Sequence, residues 1–386
     1  MAKKRESQDY ILLLIVAALL TIGLMMIYGS TFYMDYHGQS LYFLLKQLIW
    51  TAIGLAGLAA MAHIDYHSWR RFSIPIMAGA LALLVAVLRV GESRFGSQSW
   101  LPSGLGQPSE FCKLAIIIYM ADWLASKGEQ IRKVSYGLVP FAILVGVVIG
   151  LVVMQPDFGT ALLIAVTVVS MFFIAGAELW QLAIGLMVGG ATFAFLVIHF
   201  PYALGRIREF IQAWNDPYQE ASYHVRQALL ALISGGIFGR RPGSSYQKFR
   251  LYAPHTDSIF AVLGEDLGLI GTLTVIGLFA ALAYRGFKIA REAPDAFGTI
   301  LAAGLTCCLV FQASLNAAVI TATLPFTGVT LPFISYGGSS LIVSLASVGL
   351  LLSISKGKRR KGARKGADYD LRRRHWRPRV PRSRRS

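Results

Sequence analysis

One aspartate, Asp257, lies in a long polar stretch of an otherwise apolar chain. It belongs to the run LYAPHTDSIF at residues 251–260. A carboxylate held in a positioned loop can take a proton from a substrate hydroxyl, which is the task of a general base. Asp257 is therefore the first candidate catalytic residue, and the elements before and after its loop must position it.

A second polar cluster, QPSEFCK at residues 107–113, opens a predicted helix. Glu110 stands in the first turn, where the helix dipole favours a negative charge. Lys113 lies three residues later on the same face. Two interpretations remain open, a structural ion pair that locks two helices and a pair that orients a substrate or a catalytic acid.

Two more clusters interrupt apolar segments. The run QPDFGT at residues 155–160 is a tight break that holds Asp157 at the membrane surface, where a solvated turn aspartate is the default and a functional carboxylate the alternative. In PFTGVTLPFISYGGSS at residues 325–340, Pro and paired Gly break an apolar stretch. Non-helical backbone at membrane depth occurs only where it is buried in protein or lines a cavity.

The composition of the chain indicates the environment in which these clusters lie. The chain has 386 residues, of which 55% are hydrophobic and only 15% charged, and its mean hydropathy is +0.55. These values are typical of a polytopic membrane protein. A membrane-spanning helix needs roughly 20 mainly apolar residues, and about ten stretches qualify. They lie near residues 10–32, 41–62, 72–91, 110–126, 138–154, 158–175, 179–200, 268–286, 298–321 and 338–355.

The predicted fold is an all-α polytopic membrane protein with about ten transmembrane helices. A large extracytoplasmic loop, residues 201–267, lies between helices 7 and 8, and the transmembrane domain covers residues 1–355. Lys and Arg residues are concentrated before the first span and in the even-numbered connections between spans. By the positive-inside rule, these connections and both termini are expected to lie in the cytoplasm. These residues are Lys3, Lys4, Arg5, Arg70, Arg71, Lys127, Arg132, Lys133, Arg285, Lys288 and Arg291.

The large loop is basic and contains a short apolar helix. Residues 223–233 have helical apolar periodicity, and Gly235 and Gly236 end it. Because this helix is too short to span, it is expected to dip into the outer interface or lie on it. The cations of the loop suit a phosphate or pyrophosphate ligand, although a basic loop without a ligand is the alternative. They are Arg206, Arg208, Arg226, Arg240, Arg241, Lys248 and Arg250.

Residues 356–386 carry fifteen of the 37 Lys and Arg residues and supply most of the net charge of +17. We expect a disordered cytoplasmic tail that attracts anionic lipids. A nucleic-acid partner is not expected, because the only interleaved aromatic residue is Trp376. The cysteines, Cys112, Cys307 and Cys308, fall inside predicted spans and are interpreted as small apolar residues.

The motifs together resemble the SEDS family (shape, elongation, division and sporulation), which includes the FtsW and RodA peptidoglycan polymerases. The likeness runs from the first span through Ser355. It is carried by residues 107–113, 155–160, Gln247 and Lys248, His255 to Asp257, GEDLG at 264–268, and LPFISYGGSS at 331–340. The division-type FtsW branch is the more similar one in WNDP at 214–217, SYQK at 245–248 and NAAVIT at 316–321.

The resemblance implies a peptidoglycan glycosyltransferase that polymerises lipid II, a disaccharide-pentapeptide on undecaprenyl pyrophosphate, at the outer leaflet. The essential acidic residue of the family maps to Asp257. Since pyrophosphate leaves without protonation, one carboxylate suffices, unlike in glycoside hydrolysis. Lys248, Arg206 or a divalent cation, Mg²⁺ or Mn²⁺, could neutralise the departing charge, and no organic cofactor is expected. A single displacement would invert the anomeric centre.

The resemblance also implies supporting residues and partners. Glu110, Lys113 and Asp157 align with polar positions near the family's cavity. A class B penicillin-binding protein and other division proteins are the expected protein partners, at the septum of a bacterial cytoplasmic membrane. The remaining candidates for substrate binding or support are Arg206, Lys248, His255, Thr256, Glu265, Ser335, Gly337 and Gly338.

The sequence departs from the family pattern in places, and other functions stay open. Ser99 precedes Trp100 where the family has Arg, leaving open whether Arg94 replaces that cation, and Ser258 replaces an aromatic residue after Asp257. Broken helices and buried polar residues would also suit a lipid II flippase. A non-catalytic scaffold for division proteins is a further alternative.

Overall fold

The computed structural model describes residues 9–31, 39–94, 97–100, 106–215, 223–240, 245–251 and 253–375. These residues form α-helices and one antiparallel hairpin in which Glu92 faces Trp100. The helices are α1 Tyr10–Thr31, α2 Gln39–His63, α3 Tyr66–Arg71, α4 Ser73–Val90, α5 Pro108–Lys127, α6 Val139–Val153, α7 Phe158–Ile174, α8 Leu179–His199, α9 Pro201–Asn215, α10 Tyr223–Gly235, α11 Ile259–Glu292, α12 Ala296–Ile320 and α13 Gly338–His375, and the strands are β1 Glu92–Arg94 and β2 Ser97–Trp100. The predicted all-α class is confirmed, with this short hairpin as the addition.

Each of the ten predicted apolar stretches coincides with a helix. Eight described helical segments are long and apolar enough to cross a membrane. They are α1, α2, α4, Val134–Val153 (which ends with α6), α8, α11, α12 and the first part of α13, Gly338–Gly357. The other two stretches fall in α5, which carries Glu110, Lys113 and Asp122, and in α7, which has 17 residues. The chain is therefore a multi-pass membrane protein.

The core lies around α12 and the first part of α13. In the 18-residue apolar segment of each of these two helices, 78% of the residues are buried, compared with 6% in the corresponding segment of α8. Helix α12 packs against α5, α7 and α11, while α13 packs along α2. The helix α12 is thus the central support to which the other elements of the site attach.

The predicted loop at residues 201–267 is largely helical, and α11 begins earlier than expected. The loop contains α9, α10, a 3₁₀ turn at Gln247–Phe249 and the first nine residues of α11. The predicted start of span eight at residue 268 coincides with a break inside α11, which joins two helices across Gly268. Gly268 has φ 68° and ψ −164°, and the backbone of Gly236 accepts the hydrogen bond of the next amide, Leu269 N, at 2.9 Å. The predicted short helix at 223–233 is present as α10.

The last helix differs from the prediction of a disordered tail from Lys356. Helix α13 continues without interruption to His375, because Lys, Arg and Ala are good helix formers and extend a helix that an apolar segment has started. Residues 376–386, including Trp376, lie outside the described residues. The attraction of this basic segment to anionic lipids stays a prediction.

The helices bring their polar ends together at one end of the bundle, called here the Asp257 end. There α5, α7 and α11 begin and α12 ends, followed by the non-helical residues 324–337 before α13. The 25 residues of α12 span about 37 Å. They separate the Asp257 end from the opposite end, where α12 begins at Ala296.

Candidate functional site

Asp257 lies in a tight turn directly before α11. The carbonyl oxygen of Ala253 accepts hydrogen bonds from Thr256 N at 3.1 Å and Ser258 N at 3.3 Å. Ala253 has φ 46°, a left-handed conformation that costs free energy for a residue with a Cβ. Ser258 is the N-cap of α11. The turn therefore fixes the Asp257 carboxyl group beside the start of a helix.

The surroundings of Asp257 favour a carboxylate that accepts protons near neutral pH. Burial raises the pKa of Asp257 to about 6, an effect that Arg206 opposes and Asp157 reinforces. Among the described residues, no donor makes a hydrogen bond to the carboxylate oxygens. The group is thus ionised at pH 7 and available to a substrate proton.

Residues 326–330, called here the strap, run alongside this turn. A methyl group at Gly328 would lie 3.6 Å from Oδ2 of Asp257, so the strap passes next to the carboxylate. The strap also lies against the start of α7. A methyl group at Gly159 would lie 2.4 Å from the carbonyl oxygen of Thr327, which only a glycine permits.

Two amide side chains of α12 fasten the strap. Asn316 Nδ2 donates to the carbonyl oxygens of Asp257 at 2.9 Å and Val329 at 2.8 Å. Gln312, one turn earlier, donates through Nε2 to Thr330 O at 3.0 Å and to Thr330 Oγ1 at 3.2 Å. Sequence reasoning gave neither residue a role. The available signal was a pair of amides at i and i+4 in an apolar helix.

Glu110 and Lys113 form an ion pair inside the bundle. Lys113 Nζ lies 2.8 Å from Glu110 Oε2, and the side chains are 3% and 8% exposed. The same ammonium group donates to Gln312 Oε1 at 2.8 Å. This geometry favours the structural interpretation of the pair, and Gln312 links the pair to the strap.

Asp157 is a helix cap that joins two helix starts, and the solvated turn expected by default is wrong. Its Oδ1 accepts the Thr160 amide at 3.1 Å, while Oδ2 accepts Gln107 Nε2 at 2.9 Å and Ser109 Oγ at 3.1 Å. Burial raises the pKa of Asp157, and its hydrogen bonds to Thr160 and Ser109 oppose this effect. The N-termini of α5 and α7, with their positive dipole ends, therefore meet beside the Asp257 turn.

The two candidate cations, Arg206 and Lys248, make different contacts. Arg206 on α9 donates to the strap carbonyl of Phe326 at 3.0 Å, and its guanidinium lies 5.3 Å from the Phe326 ring centroid. Lys248 is 2% exposed, and its Nζ donates to the carbonyl oxygen of Gly29 at 3.0 Å. Burial lowers the pKa of Lys248 despite the nearby Asp266 and Glu265. Arg206 thus lies near Asp257, whereas Lys248 holds the end of α1.

Glu265 and Asp266 support the segment that carries Lys248. The Glu265 carboxylate accepts the backbone amides of Tyr246 at 2.9 Å and Gln247 at 3.1 Å. Asp266 Oδ1 accepts the amide of Ser245 at 3.1 Å. Both carboxylates are therefore placed to hold a loop backbone rather than to face an opening.

His255 and Thr256 attach the Asp257 turn to the segment before α13. The carbonyl oxygen of His255 accepts Tyr336 N at 2.9 Å, and Ser335 Oγ donates to Thr256 O at 2.6 Å. The His255 ring packs on Tyr336, with ring centroids 5.7 Å apart. Burial lowers the pKa of His255, so its ring is neutral at pH 7.

Gly337 and Gly338 start α13 against α2. The carbonyl oxygen of Gly337 accepts the Leu341 amide at 3.0 Å, and a methyl group at Gly338 would lie 2.6 Å from the Trp50 ring. Their role is thus to permit close packing.

Of the remaining candidates, Arg241 and the side chains of Arg94 and Ser99 lie outside the described part of the chain. The three cysteines are buried, as predicted.

No group of three or more His, Cys, Asp or Glu side chains is arranged to hold a metal ion within the described ranges. The site consists of the Asp257 turn, the strap, and the amides, ion pair and helix starts that hold them. Its chemistry is that of one ionised carboxylate with an arginine and helix N-termini nearby. This set can accept a proton and attract an anionic substrate.

Comparison with known proteins gives a consistent match. The model of the FtsW/RodA/SpoVE cell cycle protein family matches residues 10–360. The probable peptidoglycan glycosyltransferase FtsW of Trichlorobacter lovleyi is 40% identical over 357 residues, which cover 90% of this chain and 93% of that protein. Stage V sporulation protein E of Bacillus subtilis is 39% identical, over 92% of this chain and 99% of its own.

Solved structures show the same similarity. A chain from a peptidoglycan synthase complex that coordinates polymerization and crosslinking superposes with a TM-score of 0.75 at 27% identity, covering 91% of this chain and 98% of its own. The rod shape determining protein RodA of Thermus thermophilus gives a TM-score of 0.68 at 27% identity, with the same coverage.

Proposed function

This chain belongs to the FtsW/RodA/SpoVE family of cell cycle proteins, and from that premise we propose that it polymerises lipid II with Asp257 as the general base. It is a peptidoglycan glycosyltransferase of cell wall synthesis, like the relatives that bear that name. One observation carries the assignment of the base. Asp257 is an ionised carboxylate that no described donor engages, at the point where three helices begin.

The proposed reaction forms one glycosidic bond and breaks one bond to phosphate. Asp257 takes the proton of the acceptor sugar hydroxyl as its oxygen attacks the anomeric carbon of the donor. The bond from that carbon to the pyrophosphate breaks, and undecaprenyl pyrophosphate leaves with the electron pair. The proton passes from Asp257 to water. Attack from the face opposite the leaving group converts an α-linked donor into a β-linked glycan.

The pyrophosphate requires positive charge rather than a proton donor. Arg206 and the N-termini of α5, α7 and α11 supply it, since helix N-termini stabilise anions. We also propose a divalent cation, Mg²⁺ or Mn²⁺, because Mg²⁺ is commonly held by one or two carboxylates together with substrate phosphates. Both oxygens of Asp157 already accept hydrogen bonds and Asp257 serves as the base, so the substrate phosphates and water would supply most of the ligands of this cation. The cation would neutralise charge on the leaving group.

We propose that the lipid-linked substrate binds at the Asp257 end. Basic residues favour a cytoplasmic location for the opposite end, so we propose that the reaction takes place at the outer leaflet, with the prenyl chains between helices. The amphipathic α9 carries Arg206 at that boundary. A role in cell division at the septum is proposed from the FtsW relatives.

We propose that a class B penicillin-binding protein crosslinks the product. The likeness to a chain of a synthase complex that joins polymerization with crosslinking supports such a partner. Purification of the chain in mild detergent should retain this transpeptidase. Its absence from the purified material under conditions that preserve polymerisation would contradict the proposal.

The test of function is polymerisation of purified lipid II by the Asp257→Asn variant in vesicles. Removal of the base should lower glycan synthesis by at least about 10²-fold, while the variant still elutes as a folded protein. Glycan made at the parental rate would contradict the proposal. Addition of a chelator in a parallel reaction tests the cation.

The same material separates the alternatives. A flippase would move labelled lipid II across vesicles at a rate that Lys113→Ala reduces and Asp257→Asn leaves unchanged. A scaffold would yield neither glycan nor transport. Polymerisation that depends on Asp257 excludes the scaffold and makes transport unnecessary as an explanation of the site.

A further inference from the structure

The backbone of the Asp257 turn depends on one buried side chain, Asn316. Asn316 is 2% exposed and lies four residues before the C-terminus of α12. Its Nδ2 atom donates both of its hydrogens, one to Asp257 O and one to Val329 O of the strap. We propose that Asn316 is the positioning residue for Asp257, because it joins the catalytic turn and the strap to the central helix.

The direction of the Asn316 amide is determined by its neighbours. Both acceptors are backbone carbonyl oxygens, and only the NH₂ group of an amide can donate to two of them. The Oδ1 atom is buried and has no hydrogen-bond partner among the described residues. A buried acceptor without a partner costs free energy. The two bonds from Nδ2 must therefore outweigh this cost, and they allow one orientation of the side chain.

Asn316 also holds the strap, which runs beside the Asp257 carboxylate. The strap residue Gly328 lies against the Asp257 carboxylate, and the neighbouring Val329 is held by Asn316. Asn316 thus fixes both sides of the carboxylate, the turn that carries it and the backbone that faces it. Gln312 holds the next strap residue, Thr330. A change at Asn316 is therefore transmitted to the reacting oxygens without any contact between Asn316 and substrate.

Helix α12 is suited to this task because it is largely buried and packs against α5, α7 and α11. A misplacement of a catalytic group by about 1 Å can lower a rate by roughly 10²-fold. Asn316 acts through Asp257, so the inference rests on the proposed role of Asp257 as the base. Its expected signature is a fall in kcat with little change in KM.

The test compares Asn316→Leu with a matched control, Gln181→Leu. Gln181 is also a fully buried amide, and its Nε2 donates to two backbone carbonyl oxygens, Ile131 O at 3.2 Å and Arg132 O at 3.0 Å. It lies at the start of α8, away from Asp257. Each variant loses two hydrogen bonds from a side-chain NH₂ group to backbone carbonyl oxygens, and Gln181→Leu also loses the bond that Oε1 accepts from the Glu178 amide. A general loss of stability should therefore affect the control at least as much. Asn316→Ala, which leaves room for water, replaces Asn316→Leu if the latter does not fold.

Lipid II polymerisation is measured in vesicles for the full chain and each variant from pH 5 to pH 8. Asn316→Leu should lower kcat by about 10-fold or more and change KM less than twofold. The acid limb of its kcat profile should move to lower pH, because a loosened turn admits water and reverses the burial that raises the pKa of Asp257. Gln181→Leu should keep the parental kcat and the parental acid limb.

Two outcomes would overturn the inference. One is a parental kcat and acid limb in both Asn316 variants, and the other is an equal loss of kcat in Gln181→Leu. The Asp257→Asn variant, assayed in parallel, separates this failure from failure of the proposed function. If Asp257→Asn is inactive while the Asn316 variants are unchanged, only the positioning role is wrong. If Asp257→Asn polymerises normally, the proposed function itself is wrong.

Discussion

Both ends of the helix bundle hold carboxylates between helices, but among the described residues the buried carboxylate of Asp257 differs from the others in accepting no hydrogen bond. At the opposite end, three described carboxylates each bind a side chain of another helix. These pairs are Asp9 with Arg285, Asp122 with Arg70 and Ser73, and Asp295 with Tyr66. At the Asp257 end, Glu110 and Asp157 are similarly engaged, whereas no described donor binds the carboxylate of Asp257.

The difference indicates two uses of the same residue type. A paired carboxylate joins helices and adds stability, and an unpaired, partly buried one costs stability. Such a cost persists where the group has a chemical task. The supporting hydrogen bonds at the Asp257 end go to the backbone of the turn and strap, which leaves the carboxylate itself open to substrate.

The largest effect is expected from breaking an ion pair at each end. Lys113→Met leaves Glu110 buried without its cation, which should cost about 3–5 kcal/mol in the free energy of unfolding. It also removes the partner of Gln312, so polymerisation should fall. Thermal unfolding in detergent and lipid II turnover measure the two effects.

Arg285→Met is the matched variant at the opposite end. Asp9 retains the Leu12 amide as a hydrogen-bond donor, so the loss of stability should be smaller than for Lys113→Met. The kcat for lipid II should not change. A fall in kcat equal to that of Lys113→Met would mean that the two ends do not differ in function.

The second prediction concerns the change in stability when one aspartate at each end is replaced by asparagine. Stability should rise at the Asp257 end and fall at the opposite end. The pKa of Asp257 rises from 3.8 to about 6 on folding, which corresponds to a cost of up to about 3 kcal/mol above pH 6. The unfolded chain loses its proton near pH 4 and the folded protein near pH 6. The cost therefore develops between these values, is complete above pH 6, and is absent below pH 4. Asp257→Asn should raise the unfolding midpoint at pH 7.5 and have little effect at pH 4.

Asp122→Asn supplies the contrast for this prediction. Asp122 accepts Arg70 Nε at 2.8 Å and Ser73 Oγ at 2.7 Å, so its loss should lower stability by about 1 kcal/mol. If Asp257→Asn is less stable than the parent protein at pH 7.5, the Asp257 carboxylate stabilises the fold through a partner and is not destabilised by its burial.

Sequence reasoning located the elements well and their contacts poorly. The ten apolar stretches, α10 and the break at Gly268 were accessible from hydropathy and glycine positions. The Glu110–Lys113 pair followed from helical spacing. Asn316 was missed because its partners are backbone carbonyl oxygens, which have no sequence signature. Gln312 was missed because it contacts Lys113, 199 residues away in the chain.

Two further contacts could not be predicted for a similar reason. Lys248 stays a candidate cation for phosphate, and its Nζ donates to the carbonyl oxygen of Gly29, 219 residues away in the chain. Asp157 looked like an exposed turn residue, yet it caps α7 and binds Gln107 and Ser109. In both cases the contact is long-range, and spacing along the chain does not encode such contacts.

The smallest effect concerns backbone strain at the Asp257 turn. Ala253→Gly removes the cost of a Cβ at φ 46°, so stability should rise by about 0.5–1 kcal/mol. The same substitution at Ala290, in a helical part of α11 near the opposite end, should lower stability by about 1 kcal/mol. Unfolding midpoints of the two variants give the comparison, and an equal decrease in both would show that the turn at Ala253 is not strained.

The pH dependence of kcat for lipid II polymerisation tests the role of Asp257 most directly. If Asp257 is the general base, kcat should rise about tenfold per pH unit below pH 6 and level off above it, because the base must be ionised. A kcat that stays constant from pH 5 to pH 8, or that falls as the pH rises through 6, would contradict the assignment of Asp257 as the general base.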